Sequence, residues 1–77
     1  MANWLFTIDN SNYSADTADE LIEQFWLSSL FGEDNIEDYR VGFAKRLAVY
    51  NGSIVRSGTN QELFDDLVKL GFLKQKA

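Results

Sequence analysis

The chain has 77 residues, of which 45% are hydrophobic and 14% aromatic, and its formal net charge is −5. This length allows one domain, and the apolar content is sufficient for a core, so we expect a single small domain over residues 1–77. The absence of Cys and His excludes disulfides, thiol catalysis and the usual zinc ligands. We see neither a long apolar run nor a leader pattern, and we therefore expect a cytoplasmic protein without membrane contact.

The charges are divided along the chain. Residues 1–39 contain nine acidic residues and no basic one, whereas residues 40–77 contain seven basic and three acidic residues. Two interpretations stay open at this point. Either the two halves attract each other within the folded domain, or the first half presents an acidic surface to a basic partner.

The first predicted element is a β-hairpin. Alternation of β-branched and aromatic residues from Trp4 to Ile8 predicts a strand with Trp4, Phe6 and Ile8 on one face. The polar residues 9–12 predict a turn, and residues 13–15 predict a short returning strand.

A helix is predicted over residues 16–32. Thr17 and Glu20 form a capping-box pattern, with Asp16 as a competing N-cap, and Gly32 is a suitable residue to end the helix. Helical spacing separates an apolar face from an acidic face. The apolar face consists of Leu21, Ile22 and Phe25, and the acidic face consists of Asp16, Asp19, Glu20 and Glu23.

The second half of this helix turns its apolar side chains toward the side that the carboxylates occupy in the first half. These side chains are Trp26, Leu27, Leu30 and Phe31. In one interpretation, this is a central helix that other elements cover on both sides. In the other, some of these residues stay exposed beside the acidic row as a hydrophobic anchor with a charged rim.

A second helix is predicted from Ile36 to about Tyr50. Asn35 is its expected N-cap, and Glu37 and Asp38 lie in its first turn, where the helix dipole favours acidic residues. Apolar spacing predicts that one stripe faces the core: Ile36, Tyr39, Phe43, Leu47 and Tyr50. We expect Gly42 to allow close packing against a neighbouring helix, and residues 51–52 to end the second helix.

A third helix follows a short β-branched segment. Residues 53–57 predict a third strand that joins the hairpin, and Thr59 with Glu62 forms a second capping box. The expected inward residues are Leu63, Phe64, Leu67, Val68 and Leu70. Gly71 and Phe72 predict a Schellman motif at the end of this helix, and residues 73–77 are expected to be a frayed tail. The predicted fold is therefore α+β, with the order β-β-α-α-β-α.

The sequence does not favour an enzyme. Its carboxylates lie on polar helix faces and in a linker, where solvation is expected to keep their pKa values in the ordinary range. We therefore expect no catalytic residue, and we also expect no metal or cofactor. Partial matches to a calcium loop and a phosphate loop fail at essential positions. A basic patch is conceivable at Arg40, Lys45, Arg46 and Arg56, but these residues have no aromatic interleaving, so nucleic-acid binding is not expected.

The remaining hypothesis is a small acidic protein-binding module, acting as an inhibitor or modulator that occupies a basic, nucleic-acid-binding type of site on a partner protein. In composition, the chain is similar to small phage-encoded inhibitors, including anti-CRISPR and DNA-mimic proteins. The predicted partner-binding residues are Asp16, Asp19, Glu20, Glu23, Trp26, Phe31, Glu33, Asp34, Glu37 and Asp38. The alternative is a self-associating assembly subunit, such as a homodimer in which the acidic half of one copy meets the basic half of another.

Overall fold

The computed structural model describes residues 2–28 and 33–76. Within these ranges, the order along the chain is β1, β2, α1, α2, α3, β3. The strands are β1 (Asn3–Phe6), β2 (Ser11–Ser14) and β3 (Leu73–Lys76). The helices are α1 (Ala18–Leu27), α2 (Ile36–Asn51) and α3 (Asn60–Lys69). The predicted α+β class, with an N-terminal hairpin and three helices, is confirmed.

The strands form one antiparallel sheet in the order β2-β1-β3. Trp4 of the central strand lies opposite Tyr13 of β2 and Gln75 of β3. Trp4 and Phe6 pack on the core, so this face of the sheet meets the helices. The prediction for Ile8 is wrong, because β1 ends at Phe6 and residues 7–10 form the turn, which leaves Ile8 45% exposed.

The third strand lies at a different place from the one the sequence predicts. Residues 53–57 contain no strand, because side chains bind their backbone groups. Arg56 N donates to Asp66 Oδ2 at 2.8 Å, and the carbonyl of Ser57 accepts from Arg40. The predicted tail instead forms β3, where Leu73 is buried in the core. The predicted strand at residues 53–57 and the predicted frayed tail at residues 73–77 are therefore both wrong. Because three of the four residues of β3 are polar, the sequence pattern typical of a strand is weak there.

The three predicted helix starts are confirmed. Each N-cap side chain accepts a hydrogen bond from the backbone N–H three residues later, which satisfies a donor that has no partner within the helix. The pairs are Thr17 with Glu20 N (3.2 Å), Asn35 with Asp38 N (2.8 Å) and Thr59 with Glu62 N (3.1 Å).

Glycines end the second and third helices, as predicted. Gly52 has φ 68° after α2, and Gly71 has φ 84° after α3. This left-handed backbone region is unfavourable for residues that carry a Cβ, whereas glycine adopts it readily. Phe72 N donates to Leu67 O at 2.9 Å, and Gly71 N donates to Val68 O at 3.1 Å. These two bonds complete the predicted Schellman motif.

The first helix is shorter than predicted. It ends at Leu27, where the hydroxyl of Ser28 donates to the carbonyl of Gln24 at 2.8 Å and the backbone N–H of Ser28 donates to the same oxygen at 3.1 Å. Serine side chains commonly compete for helical carbonyls in this way. The predicted end of the helix, Gly32, lies outside the described residues.

The core joins the sheet to all three helices. Its buried members are Phe6, Ala15, Leu21, Ile22, Phe25, Tyr39, Leu47, Val55, Leu63, Leu67 and Leu73. Phe25 links the sheet to α2, since its ring centroid lies 5.1 Å from that of Phe6 and 5.9 Å from that of Phe43. The predicted inward placement is wrong for Tyr50, Val68 and Leu70, which are 80%, 40% and 46% exposed.

Candidate acidic interface

The acidic face of α1 forms as predicted. Asp19, Glu20 and Glu23 are exposed, and the apolar side of the same helix is buried in the core. Asp16, just before the helix, is also exposed, and its Oδ1 accepts from the backbone N–H of Ala2 at 3.2 Å. The amphipathic pattern therefore places these carboxylates at the solvent because the opposite face fills the core.

A second group of carboxylates lies at the start of α2. Asp34, Glu37 and Asp38 are exposed. Asn35 fixes this helix start through its capping bond, and Asn35 Nδ2 also donates to Asp38 Oδ2 at 3.3 Å. The N-terminal end of a helix dipole favours acidic side chains at these positions.

Asn60 links the acidic side of α1 to α2, where it binds Arg40. Its Nδ2 donates to Asp19 Oδ1 at 2.9 Å, and its Oδ1 accepts from Arg40 Nη1 at 2.6 Å. Glu23 lies one turn after Asp19 on α1, and Glu37 lies one turn before Arg40 on α2. We define the acidic face as the exposed residues Asp19, Glu20, Glu23, Asp34, Glu37 and Asp38.

Glu33 does not belong to this face, which corrects the sequence-based expectation. Its Oε1 lies 3.1 Å from Arg46 Nη1, and its side chain is 15% exposed. A Cβ at Gly42 would lie 3.1 Å from both of these atoms. Gly42 therefore leaves room for this ion pair and not, as predicted, for a neighbouring helix of the same chain.

The ion pair between Glu33 and Arg46 joins the acidic and basic halves. Arg56 instead binds acidic partners from its own half, with Nη2 at 2.9 Å from Asp66 Oδ1 and Nη1 at 3.5 Å from Glu62 Oε2. Attraction between the halves thus neutralises Glu33, while none of the ion pairs between described residues involves the acidic face.

The hydrophobic anchor that the sequence suggests is only partly present. Trp26 is half-buried against the core, and its Nε1 donates to the carbonyl of Glu33 at 3.1 Å. Its indole therefore holds the start of α2 and is not a free anchor. Leu27 is 69% exposed, as the second interpretation of the helix expects, whereas Leu30 and Phe31 lie outside the described residues.

The four basic residues considered for nucleic-acid binding do not form a common patch of available cations. Arg40 is buried and donates to Ser57 O, Gly58 O and Asn60. Arg46 and Arg56 are held in the ion pairs described above. Lys45 is exposed on α2. One exposed lysine neutralises a single phosphate, which contributes little affinity for a nucleic acid.

Two groups with shifted pKa values, Tyr39 and Asp66, lie outside the acidic face. Burial raises the pKa of the Tyr39 hydroxyl, which keeps it neutral. Hydrogen bonds from Arg56 lower the pKa of Asp66. Within the described ranges, no group of His, Cys, Asp or Glu side chains could hold a metal ion.

An apolar cleft of about 370 Å³ lies between the hairpin and the C-terminal half of α2. Its walls include Phe6, Ile8, Phe43, Leu47 and Tyr50. The sequence did not indicate this cleft, because the prediction assigned Ile8 and Tyr50 to the core. Ile8 and Tyr50 are 45% and 80% exposed. This exposure depends on the end of β1 at Phe6 and on the direction in which α2 leaves the core, and neither can be read from the sequence.

Among the parts of the chain that the structure describes, no helix has the length and apolar character needed to cross a membrane. Comparison with known families, with curated proteins and with solved structures found no match.

Proposed function

We propose that this protein is a small acidic binding module that uses the acidic face to occupy a basic surface of a partner protein. Bound there, it acts as an inhibitor or modulator, because it covers the kind of surface that nucleic acids use. The single observation that supports the proposal is the exposure of six carboxylates that the chain's own arginines and lysines leave without ion pairs among the described residues.

The positions of these carboxylates also favour binding. The backbone under them is fixed by the caps at Thr17 and Asn35 and by the bridge from Asn60 to Asp19. A rigid arrangement of charges loses less conformational entropy on binding than a flexible one. Complementary charge speeds the encounter with a basic partner and selects against acidic ones.

The experiment starts with affinity capture of partners from the native host, followed by measurement of the equilibrium affinity over a salt series. We expect the affinity to fall as the salt concentration rises, because screening weakens contacts between exposed charges. An affinity that does not change with salt would contradict the proposal.

A pair of matched variants tests which carboxylates are used. The variant E23K/E37K reverses two charges on the acidic face, and D9K/D65K reverses two exposed charges outside it. Both variants change the net charge equally. We expect about a tenfold or greater loss of affinity for E23K/E37K and little loss for D9K/D65K. Equal losses would show that only net charge matters and would remove the acidic face as the binding site.

A further inference from the structure

On the outward side of α2, Asp38, Val41 and Lys45 are placed so that they complement the same three residues of a second, antiparallel copy, and Val49 continues the row. Asp38, Val41, Lys45 and Val49 follow each other at spacings of three and four residues, so they form one stripe along the helix. Asp38 and Lys45 are exposed, and the two valines are 42% and 78% exposed. We call these four residues the outer stripe of α2.

Exposed apolar side chains also occur on the other two helices, at Leu27 of α1 and Val68 of α3. On α2, two exposed valines lie on the same stripe, while Tyr39 and Leu47 are buried on the inner side of the helix. A helix with apolar residues on opposite sides is typical of one that is covered on both. Within the described residues, the chain itself covers only the inner side of α2.

The charges of the stripe indicate what covers it. Asp38 and Lys45 lie seven residues apart, about 10 Å along the helix axis, with Val41 between them. When two copies of α2 pack antiparallel across a twofold axis near Val41, Asp38 of each copy faces Lys45 of the other. Neither side chain takes part in an ion pair among the described residues.

We propose that the outer stripe of α2 is a self-association surface, and that its occupant is the same stripe of a second copy of this chain. A twofold interface of this kind makes each contact twice. Two Asp38–Lys45 ion pairs flank a central contact between the Val41 side chains. One helix face is a small interface, so the dimer is weak and forms at high concentration. The inference does not depend on the proposed function, since five of the six carboxylates of the acidic face lie outside the stripe.

The test is sedimentation velocity on the full chain and its variants up to high micromolar concentration. The wild type should form a dimer that dissociates as salt is added. K45E replaces two attractive contacts with two repulsive ones and should weaken the dimer about tenfold or more. K74E changes the net charge by the same amount on β3, away from the stripe, and should dimerise like the wild type.

A mixture of two variants tests the pairing itself. D38K and K45E should each be monomeric, because each places like charges opposite each other. Mixed together they should form a heterodimer, in which a lysine at position 38 faces the glutamate at position 45 and Asp38 faces Lys45. Circular dichroism and thermal unfolding confirm that each variant is folded. The K45E comparison stands alone if D38K does not fold, since Asp38 also lies in the first turn of α2.

Three results would overturn the inference. The first is a wild type that stays monomeric at high micromolar concentration. The second is a dimer that K45E and K74E affect equally, which would place the contact elsewhere. The third is a mixture of folded D38K and K45E that forms no heterodimer. Loss of partner binding in E23K/E37K with an unchanged dimer would separate this surface from the acidic face.

Discussion

Arg40 and Asn60 are joined by a hydrogen bond of 2.6 Å between Arg40 Nη1 and Asn60 Oδ1, and this contact fixes α2 against the start of α3. Among the described residues, Arg40 is the only charged side chain that is buried, at 7% exposure. Its other donors bind the carbonyls of Ser57 and Gly58 at 3.1 and 3.2 Å. A buried guanidinium is tolerated because its donors have acceptors.

Replacing Arg40 with Met should destabilise the protein by about 2–4 kcal/mol, since three acceptors lose their donor at once. The free energy of unfolding from urea denaturation measures this loss. At low protein concentration, where the weak dimer proposed above is dissociated, K45M removes an exposed cation from the same helix and should change the stability by less than about 0.5 kcal/mol. Equal effects of the two substitutions would show that the buried network contributes little.

Substitution of Leu73 tests whether residues 73–76 form a strand that packs on the core. The side chain is 1% exposed and lies in the core, so Leu73→Ala should cost about 2–5 kcal/mol through lost burial and a residual cavity. Leu70→Ala, at a position that is 46% exposed, should cost much less. Thermal or urea unfolding of both variants gives the comparison. A frayed end would instead leave Leu73→Ala as stable as the wild type.

Ile54 and Val55 are adjacent β-branched residues with opposite environments. Val55 is 8% exposed and Ile54 is 81% exposed. Val55→Ala should cost about 1–3 kcal/mol because it removes buried methyl groups, whereas Ile54→Ala should stay within about 0.5 kcal/mol. Urea denaturation of the two variants provides the test. The reverse order of stability would contradict the burial of Val55 and the exposure of Ile54.

The Asp66–Arg56 contact predicts a dependence of stability on pH. Because Arg56 lowers the pKa of Asp66 in the folded state, this contact stabilises the fold when Asp66 is ionised, above its unfolded pKa of about 3.9. That stabilisation is lost as the pH falls through the lower folded pKa. D66N should therefore be less stable than the wild type at neutral pH, and the difference should shrink in acid. Unfolding curves measured from neutral to acidic pH check this.

A difference between wild type and D66N that stays constant across this pH range would contradict the assignment of the effect to ionised Asp66. D65N provides the matched control, since Asp65 is exposed and its Oδ1 accepts from Gln61 Nε2. At neutral pH it should cost less stability than D66N, because Asp65 takes part in no ion pair among the described residues.

Local signals predicted the fold where the physical cause is local. The three N-caps and the glycine ends of α2 and α3 depend on neighbours within a few residues, and they lie where the sequence places them. The third strand depends on pairing with β1 at the other end of the chain, so no local pattern reveals it. Residues 53–57 have the composition of a strand, but side chains of α2 and α3 bind their backbone groups.

The candidate site could be predicted to a similar extent. The exposure of Glu20 and Glu23 could be predicted, because it follows from the residue spacing within α1 alone. The removal of Glu33 by Arg46, and the use of the Trp26 indole as a hydrogen-bond donor, depend on how α1 meets the start of α2. The predicted core stripe of α2 leaves out Val41 and Val49, in agreement with their exposure of 42% and 78%.

The central position of β1 brings distant parts of the chain side by side, because Asn3 pairs with Lys76 across the β1–β3 ladder. Folding on the ribosome cannot complete this sheet until β3 has left the exit tunnel. The same adjacency makes the chain suited to circular permutation. A short linker from Lys76 to Asn3, with the chain opened at the exposed Gly52, would keep every strand pairing. The pairing of β1 with β3, which now joins residues distant in sequence, would become a local hairpin.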